Sequence, residues 1–172
     1  SMIYERPKGE KMSLINDTLR ISMITEELTD PELGILARLF EVQSHKSGEQ
    51  IVRLREQKPD NLYVLGQGEI EVKIKGGDGE TVIHVLKPGD LAGVITFVGG
   101  APTQHSATLY SLGDTKVLRL ERNKFIALVE SHPMIAYKVM CAVVRNVHGI
   151  VRSMNAKASE LNSYIYRHSG GY

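Results

Sequence analysis

The spacing of apolar residues changes twice along the chain and divides it into three parts. Over residues 13–28, Leu14, Ile15, Leu19, Met23 and Ile24 recur at helical steps and predict a short amphipathic helix. The polar residues 1–12, with Pro7 and Gly9, read as a loose arm, and Ser1 before Met2 as an expression scar. A second helix is signalled by Thr29 and Glu32, which make a capping box, with Pro31 in a first turn that needs no N–H there. Leu33, Leu36, Ala37 and Phe40 fall on one face of it. At Glu41 the period drops to two. Val42, Ile51, Val52 and Leu54 begin the strands around the turn Ser47-Gly48-Glu49. Leu62 to Leu65 continue them, and then Ile70, Val72 and Ile74 point inward while Glu69, Glu71, Lys73 and Lys75 point outward.

Glycines punctuate this middle part. Gly66 and Gly68 are read as bracketing one turn, Gly76-Gly77-Asp78-Gly79 as making a hairpin, and Pro88-Gly89-Asp90 as turning the chain again. Gly113-Asp114 is read as closing a final hairpin between 107–110 and 117–120. Many short strands with close turn signals predict an α+β, mainly β fold: a double-stranded β-helix or jelly-roll barrel with N-terminal helices and a long C-terminal helix. The division expected is an arm and helix at 1–28 and one domain at 29–172, with a β-roll at about 41–120 and C-terminal helices over 121–166.

Helical spacing returns after Glu121. Residues 121–130 read as a short helix, His132-Pro133 breaks it, and 134–166 read as one long helix of about 50 Å. Val143, Val147, Ile150, Met154, Ala158, Leu161 and Ile165 form a seam at three- and four-residue steps, which predicts pairing with a second copy in a homodimer. The other possibility is a helix folded back on its own roll, bent at Gly149.

Composition narrows the class without naming a chemistry. The 172 residues are 42% hydrophobic and 24% charged, as in ordinary globular proteins, and no continuous apolar run or leader pattern marks a membrane or secreted chain. A cytoplasmic protein without a membrane partner is therefore expected. Cys141 is the single cysteine, which excludes an intramolecular disulfide and reads as a packed thiol. The net charge of +1 is uneven: residues 133–172 hold five Lys and Arg against one Glu, whereas the rest holds 16 against 19. Lys138, Arg145 and Arg152, seven apart, read first as a solvated face and second as a dock for an acidic partner or nucleic acid.

The pattern D-x-L-Y-V-L-x-x-G-x-I-x-V-x-I from Asp60, then L-x-P-G-D-x-x-G from Leu86, then Ser106-Ala107, resembles the cyclic-nucleotide-binding domain. That family includes catabolite-activator-type regulators, kinase regulatory subunits and gated channels. The resemblance spans about residues 28–165 and implies a non-enzymatic regulatory sensor whose ligand shifts the hinge between roll and long helix, here 121–130 and the helix that follows. It also implies a phosphate-binding segment, placing the ligand at Gly93, Val94, Ile95, Thr96, Gln104, His105, Ser106 and Ala107. In the family a Glu clamps the ribose, the N–H groups of a one-turn helix face the phosphate, and an Arg pairs with its oxygens. The Glu position falls on Val94 and the Arg position on His105, with Gln104 as the neighbouring candidate. Losing two charge-assisted interactions of about 1.5–3 kcal/mol each costs about two to four decades in affinity. The ligand expected is therefore a non-standard nucleotide or another anion; the alternative is a dimerisation or scaffold domain with a vestigial pocket.

Two further expectations complete the reading. The helix-turn-helix that reads DNA in transcriptional relatives is not found after residue 166, which fits a stand-alone sensor or a piece of a longer protein. His45, His84, His105, His132, His148 and His168 include no closely spaced pair, so neither a metal nor a cofactor is expected and a cupin-type barrel enzyme comes third. No nucleophile elbow, P-loop or dinucleotide fingerprint is present.

Overall fold

The computed structural model describes residues 8–53, 61–98 and 107–169. Helix α1 (Lys8–Ile21) begins within the stretch expected to be a loose arm. Its apolar positions Ile15 and Leu19 are buried, which supplies the packing that the polar first turn lacks. A 3₁₀ turn follows at Met23–Thr25, where the Thr25 hydroxyl donates to the carbonyls of Leu19 and Ser22. Helix α2 (Asp30–Ala37) starts on the expected capping box: Glu32 N–H donates to Thr29 Oγ1 at 3.4 Å, and Thr29 N–H to Glu32 Oε1 at 3.0 Å. Phe40 is buried as expected but belongs to a strand.

Six antiparallel strands follow: β1 (Phe40–His45), β2 (Gln50–Arg53), β3 (Asn61–Gly76), β4 (Gly79–Leu86), β5 (Leu91–Ala92) and β6 (Thr108–Glu121). The sheet order is β1-β6-β3-β4, with β2 also on β6 and β5 on β3. Two expected turns prove to be kinks inside long strands. β3 runs unbroken through Gly66 and Gly68, and β6 through Gly113-Asp114, with register shifts in their pairing between Leu65 and Glu69. At Gly68, φ is +88° and a Cβ would lie 2.5 Å from the Asp114 carbonyl oxygen. Glycine there permits a bulge that bends the paired strands together, so the signal read as a turn marks a fold in the sheet. The hairpin at residues 76–79 does form, with Gly76 opposite Gly79.

Alternation along β3 and β6 sends side chains to two cores. Leu62, Val64, Leu118 and Leu120 meet α1, α2 and the C-terminal helices through Ile15, Leu36, Phe125 and Val139. Tyr63, Leu65, Ile70, Leu86, Leu109 and Val117 pack on the other side. Helix α4 (Arg122–Ser131) lies against this assembly by Phe125 and Leu128. His132 ends α4, and Pro133 opens α5 (Pro133–Ser169).

Helix α5 is anchored only in its first part. Ile135, Ala136, Val139, Ala142 and Val143 are buried, whereas all residues from 148 to 167 are exposed. It continues unbroken through Gly149, and with residues 148–167 all exposed the folded-back alternative does not occur. Residues 133–167 have a window of mean hydropathy 1.3, long and apolar enough by length and composition to cross a membrane, although no continuous apolar run exists. The basic stripe is also largely engaged. Lys138 Nζ lies 2.8 Å from Glu32 Oε1, and Arg145 Nη2 lies 3.2 Å from Glu27 Oε1, so these pairs fasten the N-terminal helices to α5. Lys138, ahead of the capping hydrogen bond, holds the Glu32 carboxyl at about 2.

Candidate functional site

The loop between β5 and β6 is positioned by backbone features that only glycine allows. Gly89 turns the chain at φ +94°, with its N–H donating to Leu65 O at 2.7 Å, and the Lys87 N–H donates to Asp90 Oδ2 at 2.9 Å. β5 then pairs with β3, placing Ala92 opposite Tyr63. Gly93 follows at φ +77°, where a Cβ would meet Asn61 O at 2.8 Å and Tyr63 Cδ2 at 3.3 Å. The close approach of two backbones fixes where the next helix begins.

That helix, α3 (Val94–Phe97), is a single turn. Phe97 N–H donates to Gly93 O at 3.0 Å and Val98 N–H to Val94 O at 3.1 Å, while the Thr96 hydroxyl donates to Gly93 O at 2.9 Å. The first N–H groups of such a turn have no acceptor within it and suit an anion. Phe97 is buried edge-on against Phe125 of α4, with ring centroids 5.3 Å apart. This contact joins the loop mechanically to the element that precedes α5.

Among the sequence-derived residues, the structure brings together Gly93, Val94 and Thr96. Val94 is half-buried and packs on the apolar core that includes Phe97 and Phe125, an environment suited to an aliphatic side chain and not to a carboxylate. The side chain of Ile95 and all of Gln104, His105 and Ser106 lie outside the described residues. Ala107 is half-buried just before β6.

Sequence reasoning missed a charged network beside Tyr63. Arg119 lies opposite both Tyr63 and Glu41 in the sheet. Its Nη2 is 2.6 Å from Glu41 Oε2 and 3.3 Å from Glu121 Oε1, and Lys124 Nζ of α4 is 2.9 Å from Glu41 Oε1. Lys124 and Arg119 together hold the Glu41 carboxyl at about 2, and Glu41 in turn raises the Arg119 pKa. Strand register brings Glu41 to Arg119 and the docking of α4 adds Lys124, and local patterning contains neither. A cleft of about 440 Å³ lies between α1 and β1, lined by Lys11, Met12, Ile15, Phe40, Val42 and the same Glu41. No group of three or more His, Cys, Asp or Glu suited to a metal occurs among the described residues.

The proposed dimer helix needs one correction. Val143 is 2% exposed and belongs to the protomer's own core, so it contributes nothing to an outer seam. Val147 is half-buried, while Ile150, Met154 and Leu161 are exposed. The exposed face instead begins with Tyr137 and Val144, and a seven-residue recurrence (Tyr137, Val144, Val151, Ala158, Ile165) was the available signal. Tyr137 has its pKa raised chiefly by a hydrogen bond with Cys141 one turn on.

Comparison with known proteins places these features. The sequence profile of the cyclic nucleotide-binding domain matches residues 42–132, from β1 to the end of α4. An HTH-type transcriptional regulator Cmr from Mycobacterium tuberculosis (strain CDC 1551 / Oshkosh) is 26% identical over 116 residues, covering 67% of this chain and 46% of that protein. The chain thus spans about half the length of that curated relative. A cyclic nucleotide-binding domain from Methylobacillus flagellatus KT superposes with a TM-score of 0.74 at 17% identity, over 85% of this chain and 83% of that one. A regulatory subunit of a cAMP-independent protein kinase A from Trypanosoma brucei, in a triple mutant bound to cAMP, gives a TM-score of 0.62 at 20% identity, covering 80% and 47%. At these identities the superpositions establish the fold, while the sequence match covers more than half of the chain. The chain belongs to the cyclic nucleotide-binding domain family.

Proposed function

We propose that this chain is a non-enzymatic, cytoplasmic sensor that works as a homodimer through α5 and binds a non-standard nucleotide or another anion in place of cyclic AMP or cyclic GMP. The observation that carries the reading is the state of α3. Its backbone device is intact, because Gly93 sets a one-turn helix whose N–H groups suit a phosphate. Its first side chain, Val94, is packed against apolar neighbours where a ribose-clamping carboxylate is needed. His105 at the arginine position offers one N–H donor when neutral, and two with a charge when protonated. A relative described as cAMP-independent, which holds cAMP as a mutant, supports the view that this fold persists when the usual ligand is lost. The path from loop to output runs through Phe97 and Phe125 to α4 and α5. The exposed polar positions of α5, among them Arg152, Asn155, Lys157 and Asn162, favour an aqueous partner over a bilayer.

A thermal-shift screen against cyclic nucleotides, linear and cyclic dinucleotides, nucleoside phosphates and simple anions tests this. The expected result is stabilisation by an anionic compound other than cyclic AMP or cyclic GMP. Stabilisation by cyclic AMP at micromolar concentration overturns the ligand reading. A protein that is dimeric but stabilised by nothing in the panel supports the second reading, a dimerisation or scaffold domain with a vestigial pocket.

A further inference from the structure

We infer that the first turn of α4 is a conditional element: it stays wound only while Glu41 and Arg119 of the sheet clamp it, and its unwinding releases the α3 loop. The clamp stands on its own geometry, whereas its part in signalling rests on the loop-to-output path proposed above.

The residues of α4 disfavour the helix they form. Its N-cap, Glu121, makes no side-chain capping hydrogen bond, and no acidic residue lies in the first turn, which holds Arg122 and Lys124. Both cations sit at the positive end of the helix dipole, and Glu130 sits near the negative end. The charges are thus reversed at both ends. Helix α2 does the opposite, with a capping box and with Asp30 and Glu32 in its first turn. Ten residues are also too few to hold a helix by propensity, so tertiary contacts must supply the difference.

Those contacts fall on the turn that needs them. Arg119 Nη2 donates to Glu121 Oε1 at 3.3 Å, which draws the N-cap carboxylate to β6 and away from the helix. Lys124 Nζ donates to Glu41 Oε1 at 2.9 Å, and Arg119 Nη2 donates to the other oxygen of that carboxylate at 2.6 Å. Glu41 therefore supplies, from β1, the negative charge that the first turn of α4 lacks. Phe125 follows Lys124 directly, and its ring is the one that meets Phe97 of α3. The clamped turn is the turn that reaches the ligand loop. With 49% and 39% of their side chains exposed, Glu41 and Lys124 form a pair that opens readily, changing the winding equilibrium by about two- to fivefold. Without Glu41 the first turn keeps its cations at the positive end and loses the charge that offsets them.

Amide exchange of the full chain, read residue by residue by NMR, tests this. In a helix the N–H groups of residues 125–128 donate to the carbonyls of 121–124, so their exchange reports the first turn. Glu41→Gln should speed that exchange about two- to fivefold. It should also speed exchange at Phe97 and Val98, whose N–H groups close α3, and leave Val64 and Leu118 in the core unchanged. Adding Lys124→Glu to Glu41→Gln should restore protection, because an acidic residue in the first turn suits the positive end of the helix. Unchanged exchange at 125–128 in Glu41→Gln overturns the clamp and leaves the sensor reading to the ligand screen. Faster exchange that Lys124→Glu fails to reverse overturns the role given to charge. Faster exchange confined to α4 overturns the link to the loop.

Discussion

Replacing Gly93 with alanine probes the geometry on which the candidate site depends. Two penalties are expected. The first is conformational: φ of +77° lies in the left-handed region and costs a residue with a Cβ about 1 kcal/mol. The second is steric, because the new methyl group lies 2.8 Å from the Asn61 carbonyl oxygen, a backbone atom of β3 that cannot swing away. Overpacking of this kind costs about 1–3 kcal/mol. Together they give about 2–4 kcal/mol, or roughly 5–15 °C in Tm for a chain of this size. Gly113→Ala separates the two, since φ is +75° there and nothing lies within 4 Å of the added Cβ. It should cost only the first penalty, about 1 kcal/mol. Gly77→Ala has neither problem and should be near neutral. Urea unfolding of the three variants with a shared slope supplies the comparison. Equal losses for Gly93→Ala and Gly113→Ala would mean that β5 and β3 are not in close contact at the loop, and the start of α3 would then be misplaced.

Two other expectations concern titration. Lys138 holds the Glu32 carboxyl at about 2, below its ordinary value of 4.5, so this pair stabilises the fold above pH 4.5 and loses its contribution as pH falls toward 2. Lys138→Met should therefore lower stability at neutral pH, with the difference from wild type shrinking in acid; a constant difference from neutral pH to pH 3 would contradict the pairing. At His105, with an ordinary histidine pKa of about 6.5, a bound anion favours the protonated ring and raises that value. Affinity for a non-titrating anion is then highest below the free-state pKa and falls as pH rises through the bound-state one. Binding should be tighter at pH 6 than at pH 8, and His105→Gln should remove the difference; equal affinities in wild type would take His105 out of the site.

The fold was legible where one local signal had one physical meaning. Thr29 and Glu32 announced a helix start, Gly77-Asp78 a hairpin tip, and His132-Pro133 a break between two helices, and each forms as expected. Signals that depend on distant partners were misread. Gly68 and Gly113 carry the same positive φ as turn glycines, but they bend strands that stay paired on either side. Val143 fits a helical seam by spacing, yet the roll claims that side of α5 first. Lys138 and Arg145 look like a solvated stripe until α2 and the 3₁₀ turn bring Glu32 and Glu27 to them. At the site, the glycine pattern identified the backbone of α3, whereas the Glu41–Arg119–Lys124 network was beyond reach because strand register brings Glu41 to Arg119 and the packing of α4 brings Lys124 to Glu41.

The account turns on the claim that this loop retains the family's backbone and lacks its two anchoring side chains. Calorimetric titration of cyclic AMP into wild type and into the double variant Val94→Glu, His105→Arg tests it most directly. The variant should bind about two to four decades more tightly than wild type, as restoring two charge-assisted interactions of about 1.5–3 kcal/mol each requires. A folded variant that binds no better than wild type would contradict the claim and show that Val94 and His105 do not occupy those positions.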